Sequence, residues 1–114
     1  MKEIYRQCAE RYTLYTSEWM LTELSEKLES KKFKLPPTLQ KLIRQQVAND
    51  AQLVFPTNKL PTDSRDPDDN NVLQLALFVK ANFIITGDRD LLDLKEVEGV
   101  MIIGPSDFYE LYIA

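Results

Sequence analysis

Apolar residues recur about once per helical turn in three segments of the chain. They are Ile4, Cys8 and Tyr12 in the first segment, Met20, Leu24 and Leu28 in the second, and Leu39, Leu42, Ile43 and Val47 in the third. This period predicts amphipathic helices over approximately Lys2–Arg11 and Glu18–Ser30, and a third that contains Leu39 to Val47 and ends near Ala48. Thr16-Ser17 and Pro36-Pro37 are suitable starts for the second and third helices, the first as a cap and the second as a first helical turn.

Between and after these segments, apolar residues form short runs rich in β-branched and aromatic side chains. The runs predict strands at Tyr12–Tyr15, Leu53–Phe55, Phe83–Thr86 and Val100–Ile103. The last two have almost no polar interruption, which is typical of short strands buried on both faces. Helices and strands alternate, and this order favours parallel strands joined by right-handed helical crossovers. We therefore predict an α/β fold in which residues 1–114 form a single domain.

The segment from Asp66 to Leu92 carries acids on both sides of a predicted helix and strand. Asp68 and Asp69 precede the apolar run Val72–Val79, whereas Asp88 and Asp90 follow the strand that Gly87 ends. Ligands of open α/β sheets bind outside the carboxyl ends of the strands, so these four acids are expected to converge there. Carboxylates held close together repel one another unless a cation compensates them, and hard oxygen ligands favour Mg²⁺ or Mn²⁺.

Helix capping is the alternative explanation for the same acids. Asp68 or Asp69 could cap the following helix, and Asp90 could cap a short turn at Leu91–Leu94. A calcium-binding EF-hand loop is excluded, because a loop counted from Asp66 would need glycine at residue 71 and glutamate at residue 77, and the chain has Asn71 and Leu77 there.

Residue types that are absent or scarce exclude several classes of enzyme. The chain has no histidine, which removes Ser-His-Asp catalysis, Cys-His catalysis and histidine-based zinc sites. Its three glycines are scattered and cannot form a phosphate-cradling loop. Cys8 is the only cysteine, so no internal disulfide can form, and it is expected to be a small core residue. No segment has the length of a membrane span or the pattern of a signal peptide, and we expect a cytoplasmic protein without a membrane partner.

The net charge of −4 argues at first sight against a nucleic-acid partner. A local group of lysines changes this picture, and its members are Lys27, Lys31, Lys32 and Lys34, followed by Lys41 and Arg44. They could form a solvated face that complements the helix dipole, or they could hold a phosphate backbone beside an acidic site. Glu23, at the edge of the buried stripe of its helix, is the acid of that helix best placed to point inward.

Four segments in order resemble the PIN domain, a family of small α/β metal-dependent nucleases. They are YTSEWMLTELSEKL (Tyr15–Leu28), DPDDNNVLQLAL (Asp66–Leu77), FIITGDRDLL (Phe83–Leu92) and VMIIGPSDF (Val100–Phe108). The resemblance covers nearly the whole chain and is strongest to the branch described as toxin components of toxin–antitoxin systems. It implies a three-layer α/β/α arrangement around a short parallel sheet.

The resemblance also implies roles for individual residues. The family's metal-binding acids fall on Glu23, Asp69, Asp88 and Asp90, with Asp69, Asp88 and Glu23 as the catalytic set. Thr86 and Asp68 fall on supporting positions. The implied cofactor is Mg²⁺ or Mn²⁺, and the implied substrate is single-stranded RNA, which Lys31, Lys32 and Lys34 would contact. A cognate antitoxin is the implied protein partner.

The chain departs from the family pattern at its start. PIN domains open with a central strand that ends in an aspartate, and nothing in this sequence corresponds to that strand. Three explanations are open: an upstream segment that carries the strand, a degenerate and inactive protein, or a dimer partner that fills the gap. Unpaired strand edges need cover, as do Trp19, Tyr109 and Tyr112, so we expect a homo-oligomer.

Overall fold

The computed structural model describes residues 2–30 and 34–113, which form a mixture of helices and short strands. The helices are α1 Lys2–Arg11, α2 Glu18–Glu29, α3 Pro37–Asp50, α4 Asp69–Phe78, α5 Arg89–Leu92 and α6 Pro105–Phe108, and α6 continues into a π-helical turn at Tyr109–Ile113. The strands are β1 Leu14–Thr16, β2 Ala51–Leu53, β3 Phe83–Ile85, β4 Glu96–Val97 and β5 Val100–Ile103.

The strands form two small sheets. β1 pairs with β2 in parallel, and β3 pairs with β5 in parallel. β4 joins the second sheet antiparallel to β5, which gives the strand order β3-β5-β4. The α/β prediction is confirmed, and both pairs of strands joined by helical crossovers are parallel, as the alternation of elements indicates.

The strands of the first sheet are displaced from their predicted positions. β1 begins two residues later than predicted, and β2 ends at Leu53, where the predicted strand begins. The reason is that α3 continues to Asp50, so the chain enters the ladder directly at Ala51, opposite Leu14. Phe55 consequently lies beyond the ladder with 60% of its surface exposed.

Three helix starts can be compared with their sequence signals. The Ser17 side chain accepts a hydrogen bond from the Met20 N–H and caps α2, and α3 starts at Pro37, both as predicted. The last helix, α6, begins at Pro105, with Gly104 at the cap position and no side-chain cap. Proline fits the first helical position because its φ angle is already helical.

Strand β4 is not among the strands that the sequence predicts. β4 and β5 are joined by Glu98 and Gly99, whose φ angles are +46° and +88°. Positive φ at both central residues is the geometry of a two-residue hairpin turn, whose twist matches that of the flanking strands. The glycine was a usable signal, because Glu98-Gly99 separates two residues of the same β-branched type, Val97 and Val100.

Replacing Gly99 with alanine should destabilise the fold by about 1 kcal/mol, because a β-carbon is unfavourable at this positive φ angle. Gly87→Ala is the matched control, since Gly87 has no positive φ and nothing lies within 4 Å of the position its β-carbon would take. Thermal denaturation of both variants tests the turn geometry. Equal melting temperatures for the two variants would contradict it.

The core lies between α4 and one face of the second sheet. Leu73 and Ala76 of α4 pack there with Ile84 of β3, and the remaining members of the cluster are Leu91, Val97, Val100 and Ile102. Phe83 points to the opposite face, because successive side chains alternate along a strand. There it contacts Phe108 and the Tyr112 ring at centroid distances of 5.2 and 4.8 Å. Helical segments therefore cover both faces of the β3–β5 pair.

Cys8 is 5% exposed, as expected of a core residue, and burial raises the pKa of its thiol. A raised pKa keeps the group in its unreactive thiol form. Among the described helices, none combines the length and apolar character required to cross a lipid bilayer.

Candidate metal centre

A tight turn before α4 brings two carboxylates onto the same side of the helix start. The Asp69 N–H donates to the Asp66 carbonyl at 3.0 Å, and the Asp68 N–H donates to Asp66 Oδ1 at 3.0 Å. Asp66 and Asp69 are three residues apart, and residues at this spacing in a helical turn are neighbours in space. The turn therefore places the Asp66 carboxylate beside that of Asp69.

A second pair of local hydrogen bonds positions Asp88 just after β3. The Asp88 N–H donates to Thr86 Oγ1 at 3.0 Å, and Asp88 Oδ1 accepts the Asp90 N–H at 2.9 Å. Asp88 is thus the N-cap of α5. The capping role expected of Asp90 belongs to Asp88, which the turn formed with Thr86 places one residue before the helix.

The two segments meet, and Asp66, Asp69 and Asp88 form a three-carboxylate cluster. One oxygen from each lies within 4.8 Å of the other two. Asp69 is buried, Asp66 is half-buried and Asp88 is exposed, so the cluster opens to solvent on one side. Three hard oxygen donors at this separation suit a divalent cation such as Mg²⁺ or Mn²⁺.

The environment of Asp69 shows the electrostatic cost of the three-carboxylate cluster. Its pKa is raised from 3.8 to about 6, first by desolvation, then by the charges of Asp88 and Asp66 and by a hydrogen bond with Asp88. The Ser64 hydroxyl acts in the opposite direction. Both main causes disfavour an ionised carboxylate here, and a bound cation would remove the repulsion. The residues present therefore fit a divalent ion.

Two buried polar residues hold the loop that carries Asp66 and Asp69. The Ser64 N–H donates to Asn70 Oδ1 at 2.9 Å, and the Ser64 hydroxyl lies 3.4 Å from Asp69 Oδ2. The same hydroxyl accepts the Asp66 N–H at 3.3 Å. Neither residue is among the site residues predicted from the sequence. Asn70 could have been noticed as a polar residue directly after Asp69, in the first turn of a helix whose later residues are mostly apolar.

Asn70→Ala should lower the free energy of unfolding by about 1–3 kcal/mol, because it leaves the buried Ser64 N–H without its acceptor. Asn71→Ala is the matched control, since Asn71 is the next residue of the same helix, is half-buried, and its N–H donates to the Asp68 carbonyl. Urea denaturation measures the difference between the two variants. A loss for Asn70→Ala no larger than that for Asn71→Ala would contradict the assignment.

The Asp90 side chain forms an ion pair with Arg65. Its Oδ1 lies 2.8 Å from Arg65 Nη2, and the same nitrogen lies 2.7 Å from Asp93 Oδ2. Of the four acids expected to converge, Asp69 and Asp88 do so, and Asp66 completes the group. Within the described part of the chain, no group of three or more acids at this separation includes Asp90 or Asp68.

The other predicted site residues occupy separate positions. Glu23 is half-buried in α2 and, among the residues the structure describes, belongs to no such acid group. Asp68 is exposed at the N-cap position of α4, and its side chain makes no capping hydrogen bond. Lys34 is exposed, whereas Lys31 and Lys32 lie outside the described residues.

Comparisons with known proteins identify one family. A family model described as PIN domain matches residues 7–90, a range that contains Asp66, Asp69 and Asp88. No curated protein and no solved structure matches the chain. Since the matched range covers most of the sequence, the chain belongs to the PIN domain family.

Proposed function

We propose that the protein is a divalent-metal-dependent ribonuclease that uses Mg²⁺ or Mn²⁺. The observation that carries the proposal is the convergence of Asp66, Asp69 and Asp88 to within 4.8 Å at the end of β3. Membership of the PIN domain family supports a nuclease-type chemistry at this position.

The three clustered aspartates would hold the cation. A divalent ion in such a site activates water and neutralises the charge that develops on a phosphodiester. Thr86 holds the Asp88 backbone, and Ser64 hydrogen-bonds Asp69, so both orient the ligands. The family resemblance adds Glu23 and Asp90 as further proposed ligands.

Single-stranded RNA is the proposed substrate, and the biological role proposed is that of a toxin neutralised by a cognate antitoxin. Lys31, Lys32 and Lys34 are the proposed contacts to the RNA backbone. Lysine side chains bind phosphate as point charges, and their contribution to affinity falls as salt is added.

Incubation of the protein with single-stranded RNA and Mn²⁺ tests the proposal. Cleavage by the wild-type protein is expected, and Asp88→Asn should reduce its rate at least about a hundredfold, because a ligand charge is lost. Glu98→Gln is the control: it removes one negative charge at the opposite end of the second sheet, in the β4–β5 turn. No cleavage by the wild type, or equal rates for wild type and Asp88→Asn, would contradict the proposal.

A second candidate function is a protein-interaction module, as a homo-oligomer, as a complex with the antitoxin, or as a degenerate family member without activity. It is favoured by apolar side chains that remain at the surface: α3 has no buried residue, and Leu42 is 57% exposed. Phe55 and Leu60 are 60% and 45% exposed. Exposed apolar area of this kind often marks a protein interface.

Solution scattering on the isolated protein tests self-association. A dimer or larger oligomer is expected, and Leu42→Lys should shift it towards the monomer if α3 lies in the interface. A monodisperse monomer at all concentrations would contradict self-association.

A further inference from the structure

Arg65 links the two segments that carry the three-carboxylate cluster. It directly precedes Asp66 in the chain, and it forms ion pairs with Asp90 of α5 and with Asp93, the residue that follows α5. Neither acid is a member of the cluster. Arg65 therefore places a positive charge next to the cluster without contacting its three carboxylates through these bonds.

Both ion pairs of Arg65 use one nitrogen of the guanidinium. Nη2 lies 2.8 Å from Asp90 and 2.7 Å from Asp93. A guanidinium carries five N–H donors in a planar fork, so Nη1 and Nε retain donors that these two contacts do not use. The side chain is 68% exposed, and the unused donors can therefore be reached from solvent.

Stability alone is a poor explanation for this arrangement. The side chains of Asp90 and Asp93 are 40% and 56% exposed, and ion pairs between exposed groups contribute little to folding. The arrangement does limit where the guanidinium can lie. A phosphodiester approaching three carboxylates in a chain of net charge −4 is repelled, and a fixed cation beside them offsets that repulsion.

We propose that Arg65 binds a phosphate of the RNA backbone next to the three-carboxylate cluster, with its guanidinium held in place by Asp90 and Asp93. This inference rests on the proposed ribonuclease function and adds a substrate-positioning residue to it. The guanidinium fork matches two phosphate oxygens, which an ammonium group cannot do in the same way.

Steady-state cleavage of single-stranded RNA with Mn²⁺ tests the proposal through Arg65→Gln and Arg65→Lys. Arg65→Gln should raise KM about tenfold to a hundredfold, the effect of one lost charged contact, with a much smaller change in kcat. The slope of log affinity against log salt should become shallower by about 0.7, the value for one phosphate contact on a single strand. The KM of Arg65→Lys should lie between those of the wild type and of Arg65→Gln.

Lys80→Gln is the control for loss of a positive charge, since Lys80 is exposed just beyond the C-terminal end of α4, away from Asp69. Asp93→Asn tests the positioning by a carboxylate outside the cluster. It should raise KM a few-fold in the wild-type background and not at all when combined with Arg65→Gln, because its only proposed role is to hold Arg65.

Two further measurements separate this proposal from the ribonuclease function itself. Mn²⁺ binding to Arg65→Gln in the absence of RNA should stay within a few-fold of wild type, and binding of a 2′-O-methyl RNA, which resists cleavage, should weaken as KM rises. Unchanged KM, RNA affinity and salt slope in Arg65→Gln would overturn the role of Arg65 while leaving the ribonuclease intact. A wild-type protein that neither binds nor cleaves RNA would overturn both.

Discussion

Asp69→Asn is expected to make the metal-free protein more stable at pH 7.5 and to abolish its binding of Mn²⁺. Burial and the neighbouring charges of Asp88 and Asp66 raise the pKa of Asp69 from 3.8 to about 6, so the folded protein holds the proton more tightly than the unfolded chain. The stability contributed by protonated Asp69 is fully present below about pH 4 and is lost as the pH rises through about 6. At pH 7.5 the wild type therefore bears the full repulsion, and asparagine removes it.

Thermal denaturation in EDTA at pH 4.5 and pH 7.5 measures this effect. At pH 7.5 the free energy of unfolding of Asp69→Asn should exceed that of the wild type by at least about 1 kcal/mol. This gain corresponds to roughly 4–8 °C in Tm for a domain of this size. At pH 4.5 the gain should nearly vanish. Glu98→Gln is the control for loss of one negative charge outside the three-carboxylate cluster. A gain that is the same at both pH values, or a loss at pH 7.5, would contradict the electrostatic origin.

The affinity for Mn²⁺ is expected to fall roughly tenfold between pH 7.5 and pH 5, because the ion binds the carboxylate and must displace the proton held by Asp69. The pKa of about 6 places the change between these two values. Isothermal titration calorimetry in two buffers of different ionisation enthalpy measures both the affinity and the proton released. Equal affinity at the two pH values, with no proton release, would show that Asp69 does not bind the ion.

The sequence predicts those parts of the fold that depend on local patterns. The apolar spacing predicts α1, α2 and the buried face of α4, and the β-branched runs predict β3 and β5. The ends of helices and strands are harder to predict where a helix signal and a strand signal compete. The run Leu53–Phe55 has strand character, but α3 reaches Asp50 and the chain enters the ladder earlier. The β4–β5 hairpin was missed because a glutamate at positive φ is an uncommon turn residue.

The sequence predicts only part of the candidate site, because some of its residues are positioned by contacts that no local pattern reveals. Asp69 and Asp88 could be expected together from their places beside a buried helix and a strand end. Asp66 could not, because its approach depends on the turn formed with Asp68. Asp90 forms an ion pair with Arg65 instead of joining the three-carboxylate cluster. The two residues are 25 positions apart, and no local pattern reveals their contact.

The raised pKa of Asp69 is also a property of the folded molecule. Desolvation is its largest cause, and burial of one aspartate among several in an acidic segment is decided by the packing of α4. The roles of Glu23 and Asp90 in metal binding stay predictions from the family resemblance, to be tested by cleavage assays of their amide variants.

The most direct test is a crystal structure of the protein soaked in Mn²⁺, with anomalous data collected at the manganese edge. An anomalous peak is expected between the carboxylates of Asp66, Asp69 and Asp88 in the wild type, and it should be lost in Asp88→Asn. The absence of a peak at these three residues, or manganese bound only elsewhere, would contradict the proposed metal site.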